Sequence, residues 1–181
     1  NPAELFQIWL NLPARKKMAE PHFTMLWADS VPLLELSDTQ GRKTSVQVVA
    51  GALGHARGAA PPPDSWASEV DSDLAIWTIR LQAGAQWTMP GARHAQTLRR
   101  LYYFRGNGLS INGQSIPPQS VVEVQAQDAI ELQAGSDEAQ LLVLQGRPIG
   151  EPVAQYGPFV MNTKEEIEQA LQDYRQGKLT G

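Results

Sequence analysis

The chain has 181 residues, 42% hydrophobic and 19% charged, which is enough apolar content for a packed core and argues against wholesale disorder. Its formal net charge of −4 and pI near 5.4 argue against general nucleic-acid binding, which needs a basic face. It has no cysteine, so disulfides and thiolate metal sites are excluded, and a reducing compartment is allowed.

No apolar run approaches the roughly 18 residues that span a bilayer, so no membrane partner is expected and a cytoplasmic location is. The start "NPAELFQIWLNLP" has neither a basic n-region nor a small-residue cleavage pattern. It opens on Asn1, with a strand-like pattern almost at once, and so reads as part of something longer.

In chain order, residues 5–11 alternate. Phe6, Ile8 and Leu10 fall on one side and Gln7, Trp9 and Asn11 on the other, which predicts a strand ended by Pro13. Residues 14–32 are polar and irregular, and Arg15-Lys16-Lys17 reads as a solvated surface run. Residues 45–50 predict a strand stopped by Gly51. The stretch 51–68, with Pro61-Pro62-Pro63, is either a domain linker or a long surface loop.

Beyond it, residues 74–81 are apolar on both faces and predict a central strand. Residues 100–104 predict another. Residues 109–116 predict a hairpin about Asn112-Gly113, the preferred pair for a type I′ turn. Residues 120–125, 129–133 and 139–145 complete a series of short strands with no helix between them, the pattern of an antiparallel sandwich or barrel.

The last element is a helix. Thr163 to Glu166 forms a capping box, Ile167, Ala170, Leu171 and Tyr174 make one apolar stripe, and Gly177 suits the C′ position. Before it, residues 150–162 read as a loop rich in Pro, Gly and aromatic residues.

Little in the chain points to catalysis. The three histidines, His22, His55 and His94, are more than thirty residues apart in loop-like segments, with no metal-ligand spacing. No nucleophile elbow or phosphate-cradling loop is present; "GALGHARG" lacks dinucleotide spacing and runs into prolines. The aromatic residues Trp66, Trp77, Trp87, Tyr102, Tyr103 and Phe104 suit sheet packing better than a flat-ligand site. Glu165-Glu166 is explained by a helix first turn, and Asp71 and Asp73 by a turn before a strand.

Three stretches together resemble the pirin family. They are "FQIWLNLPARKKMAEP" (6–21), "PPPDSWASEVDSDLAIWTIRLQAGAQWTMP" (61–90) and "GRPIGEPVAQYGPFVMNTKEEIEQALQDY" (146–174). The last is the most specific, matching an E-P-V-x-Q-x-G-P-F-V-M-N-T string. In the first, Gln7, Trp9, Asn11, Leu12 and Pro13 match a Q-x-W-x-N-L-P segment.

The resemblance implies an all-β fold: a cupin-type antiparallel β-sandwich (jelly roll) with a C-terminal helix. It implies two tandem cupins. Residues 1–50 would be the last strands of the N-terminal cupin, 51–68 a linker or long loop, and 69–148 a metal-free C-terminal cupin. Residues 149–181 would be a tail and helix packing back on the N-terminal cupin, with Phe159 and Met161 as anchors.

The family's metal site, built from His-x-His and His-x-Glu and holding iron or another divalent metal, lies in the first cupin, and its motifs are not in this sequence. In the second cupin the equivalent His-x-His would fall at about Pro90 and Ala92, which cannot bind a metal. No catalytic, cofactor-binding or metal-ligating residue is therefore expected here.

For the intact protein the resemblance implies either a metal-dependent flavonol (quercetin) 2,3-dioxygenase, this part acting as scaffold and inactive alone, or a non-enzymatic, redox-linked, protein-binding regulator of transcription or metabolism. The exposed first strands imply pairing with the N-terminal portion or with a second copy of the chain. No direct nucleic-acid contact is expected.

Overall fold

The computed structural model describes residues 4–178. The described residues divide into two units: residues 23–62 with 67–148, and residues 4–22 with 63–66 and 149–178.

The first is an all-β sandwich. Its strands are β1 (Leu33–Ser37), β2 (Lys43–Ala50), the short pair β3 (Ala52–Leu53) and β4 (Ala56–Arg57), β5 (Ala75–Leu81) and β6 (Gln86–Met89). They continue as β7 (Leu98–Arg105), β8 (Leu109–Ile111), β9 (Gln114–Ile116), β10 (Ser120–Val124), β11 (Ile130–Ala134) and β12 (Ala139–Gly146). Six strands form one sheet in the order β1-β2-β5-β12-β7-β10, and four form the other in the order β6-β11-β8-β9. Every strand pairing is antiparallel.

The core follows from the two-residue period of the strands. Across the larger sheet, Val46, Ile79, Leu141 and Tyr103 share one inward row and Val48, Trp77, Val143 and Leu101 the next. Met89, Leu109, Ile111, Ile130 and Leu132 of the smaller sheet close on them. Asn112 and Gly113 both take positive φ, 49° and 75°, so the β8–β9 turn has the expected left-handed pair.

β2 hydrogen-bonds to β5 over Thr44–Ala50, so residues 33–50 are built into the same sheet as the later strands. β2 has a buried face of Thr44, Val46 and Val48, and β5 supplies both the ladder partner and the apolar neighbours for it. The stretch 51–68 carries the β3–β4 hairpin and a 3-10 turn at Trp66–Ser68. The strand expected at residues 5–11 is absent. Residues 4–13 have no regular structure, and Leu5 and Trp9 are 85% and 58% exposed. Alternation alone cannot make a strand without an edge to pair with.

The second unit joins three separated segments. β13 (Ala154–Tyr156) and β14 (Phe159–Met161) form a hairpin where a loop is expected from the sequence, turning at Gly157-Pro158. The helix α1 (Lys164–Arg175) packs on both strands. Its capping box is complete: the Thr163 hydroxyl accepts from Glu166 N (3.2 Å), and Thr163 N donates to Glu166 Oε2 (2.9 Å). Ile167 is the buried residue of its apolar stripe, and Tyr174 meets Phe159 edge-on at 5.9 Å between ring centres. Phe159 is thus an anchor for the unit's own helix.

Candidate functional site

The strand pattern places an inward polar layer at one end of the sandwich core. One step beyond Leu101 on β7 is Arg99, and one step beyond Val143 on β12 is Gln145; the two are register partners. Both therefore face the interior, where Arg99 is 1% exposed.

A buried guanidinium requires acceptors. Arg99 Nε and Nη2 both donate to Gln145 Oε1, at 2.8 and 2.5 Å, and Nη1 donates to the Pro90 carbonyl at 2.8 Å. Gln145 Nε2 in turn donates to the backbone carbonyl of Asp73 at 2.9 Å. Burial pulls the Arg99 pKa down, and the negative charge of Asp73 opposes this.

Asp73 has a left-handed backbone, φ 48°. Its carboxylate accepts from Thr97 Oγ1 (2.8 Å), Arg93 N (2.9 Å), Arg93 Nε (3.2 Å) and His94 N (3.2 Å). Burial alone would raise its pKa. The hydrogen bonds from Thr97, Arg93 and His94 outweigh it and hold the carboxyl below the usual range.

Above this layer lies a cleft of about 520 Å³, walled by the β3–β4 hairpin, Leu74, Trp77 and Pro90, with Arg57, Arg93 and Arg99 among its lining side chains. The aromatic residues named from the sequence divide accordingly: Trp77 and Tyr103 are core, Trp87 packs against the core, and only Trp77 of these lines the cleft.

The layer does not suit a metal. The Pro90 carbonyl is committed to Arg99, and Ala92 N donates to Ala126 O. The buried guanidinium of Arg99 adds a fixed positive charge beside them. His94 contributes a backbone N–H to Asp73, whereas His22 and His55 are exposed. Among the described residues no three of His, Cys, Asp and Glu come close enough to hold an ion.

The second unit brings together the family-like strings noted in the sequence. Glu151 Oε2 accepts from Ala14 N (2.6 Å) and from Asn162 Nδ2 (3.0 Å). Asn162 N donates to Glu166 Oε2 (2.8 Å), and Lys17 Nζ donates to Asn11 Oδ1. Burial draws the Lys17 pKa down, while Glu151 and Glu166 push it back up. Lys16 pairs with Asp64 (2.9 Å) and donates to Pro63 O (3.2 Å), so Lys16 and Lys17 hold segments together rather than forming a bare solvated run. A groove of about 470 Å³ runs between Trp9, Leu10 and Leu12 on one side and Val153, Gln155, Pro158 and Val160 on the other.

Sequence reasoning missed Arg99 and Gln145, and treated Asp73 only as a turn residue. A signal was present: in "LRRLYYF", Arg99 shares the phase of Leu101 and Tyr103.

Residues 76–180 match the family model described as the Pirin C-terminal cupin domain. The chain is 33% identical, over 97% of its length, to a provisionally named quercetin 2,3-dioxygenase of Pseudomonas aeruginosa, covering 56% of that protein. It is 30% identical to pirin of Homo sapiens, with 98% of this chain and 57% of that one aligned. Among solved structures it resembles a quercetin 2,3-dioxygenase from Acinetobacter baumannii, with a TM-score of 0.78 and 28% identity over 96% of this chain and 56% of the other. The chain thus spans little more than half the length of these relatives. No helix among the described residues is long and apolar enough to cross a membrane.

Proposed function

The chain belongs to the pirin family, and from that premise we propose that it is the C-terminal, scaffolding part of a metal-dependent cupin protein with quercetin 2,3-dioxygenase-type activity. The activity is carried over from relatives that bear that name and from the likeness to the Acinetobacter baumannii enzyme. The metal chemistry then belongs to the part of those relatives that this chain does not span, with iron or another divalent ion as the expected cofactor. The observation that carries the scaffold assignment is the interior layer of Arg99 and Gln145: a buried cation there repels a second one. Flavonol turnover is the test. A protein of the relatives' full length, loaded with metal, should turn over quercetin above a metal-ligand variant, and this chain with the same metal should not. Turnover by this chain removes the scaffold role; none by the full-length form removes the oxygenase.

A second reading, a non-enzymatic protein-binding regulator, is favoured by one observation. Phe23, Met25 and Trp27 are 83%, 56% and 68% exposed on consecutive alternate positions. The N-terminal cupin of a relative, supplied in trans, should bind the chain stoichiometrically if these residues serve pairing within the protein. A chain that ignores that cupin and remains monomeric in sedimentation favours an outside partner.

A further inference from the structure

Arg99 is 1% exposed, yet its protein partners do not use all of its donors. A guanidinium has five N–H donors, and three of them are used on Gln145 and Pro90. One N–H on each terminal nitrogen has no protein acceptor among the described residues, although Arg99 lines the cleft. The nearby carboxylate, Asp73, is already occupied by Arg93, His94 and Thr97 and makes no hydrogen bond to Arg99.

The surroundings select an anion with an organic body. Three arginines and two carboxylates line the cleft of a chain whose net charge is −4, so the cleft is locally opposite in sign to the molecule. Its walls include Leu53, Leu74, Trp77 and Pro90, which offer apolar surface beside the guanidinium. The volume, about 520 Å³, lies within the range of small-molecule sites. Inorganic phosphate would satisfy the charge but leave the apolar walls wet.

We propose that the cleft over Arg99 binds a small organic carboxylate, with the guanidinium holding the carboxylate and Trp77 and Leu53 flanking its body. The pairing is charge-assisted, and the planar guanidinium fork matches a carboxylate in geometry. The proposal does not depend on the oxygenase reading.

Benzoate is the probe. Its titration into the ¹⁵N-labelled chain, followed at the Arg99 Nε–H resonance assigned through bonds, should give a saturable one-to-one shift. Affinity should fall with added salt, and phosphate should bind roughly tenfold more weakly. Arg57→Ser, at an exposed lining position, should weaken benzoate a few-fold. Arg99→Met should abolish binding in a chain whose backbone spectrum stays folded. Because loss of Arg99 also strands Gln145, Ala52→Trp is the second variant: it fills the cleft from the β3–β4 hairpin, leaves Arg99 in place, and should also block binding. A shift that never saturates, binding retained in Ala52→Trp, or phosphate binding as tightly as benzoate would overturn the proposal.

Discussion

The two units solve the same burial problem in opposite ways. The sandwich covers its apolar rows with its own strands: Val46, Leu81, Leu101, Leu132, Leu141 and Val143 are fully buried. The unit built from residues 4–22, 63–66 and 149–178 buries only Pro13 and Ile167 among its described apolar residues, and leaves Leu5, Trp9, Met18, Val153 and Tyr156 exposed. It is held instead by polar cross-links through Glu151, Asn162, Glu166 and Lys16. Hydrophobic burial scales with area, whereas exposed polar links contribute little each, so the sandwich should dominate stability.

The largest effect should come from the sandwich core. Leu141→Ala removes a side chain buried between both sheets and should cost about 3 kcal/mol in urea denaturation. A loss under about 1 kcal/mol would mean that the sandwich is not the stabilising unit.

Next comes the polar layer. Asp73→Asn tolerates the left-handed backbone but weakens the bonds from Arg93, His94 and Thr97, and should cost on the order of 1–2 kcal/mol at neutral pH. The folded carboxyl titrates below its unfolded value, so its contribution is complete above the unfolded carboxylate range and is lost as pH falls through the folded value. The wild type and Asp73→Asn should therefore converge in stability as the solution is acidified. Asp38 gives a parallel case outside the core. Its burial is opposed and outweighed by hydrogen bonds from Arg42, Gln40 and Gln86, which bring it down to about 2. NMR titration of its carboxyl should still show ionisation near pH 3, where an ordinary aspartate is mostly protonated.

Thr163→Ala removes half of the capping box and should cost about 1 kcal/mol, read as earlier amide exchange in α1 with the sandwich amides unchanged. The smallest effect belongs to Trp9→Ser. An exposed side chain without a strand partner should leave urea stability within about 0.5 kcal/mol. A larger loss would show that residues 4–13 pack in solution.

How much was legible follows period by period. The strands at 43–50, 75–81, 98–105 and 139–146 carry dense apolar alternation, and the reading found them. Two short apolar runs misled it in opposite directions. Residues 5–11 alternate but have no ladder partner, and residues 154–161, which look like a loop, pair as a hairpin through Gly157-Pro158. Of the candidate site, the phase of Arg99 was readable on β7. Its partners were not, because Gln145 and Asp73 lie 46 and 26 residues away in sequence and meet it only through the sheet.

By itself the sequence determined the all-β class, the Asn112-Gly113 turn, the capped final helix and the family, since each rests on local chemistry or on a contiguous string of residues. Tertiary structure alone decided that residues 33–50 belong to the later sandwich, that Glu151 ties Ala14 to Asn162, and that a buried arginine occupies the sandwich interior. These are contacts between distant segments. Strand register and the burial it imposes select them, and no local pattern encodes which edge a strand will find.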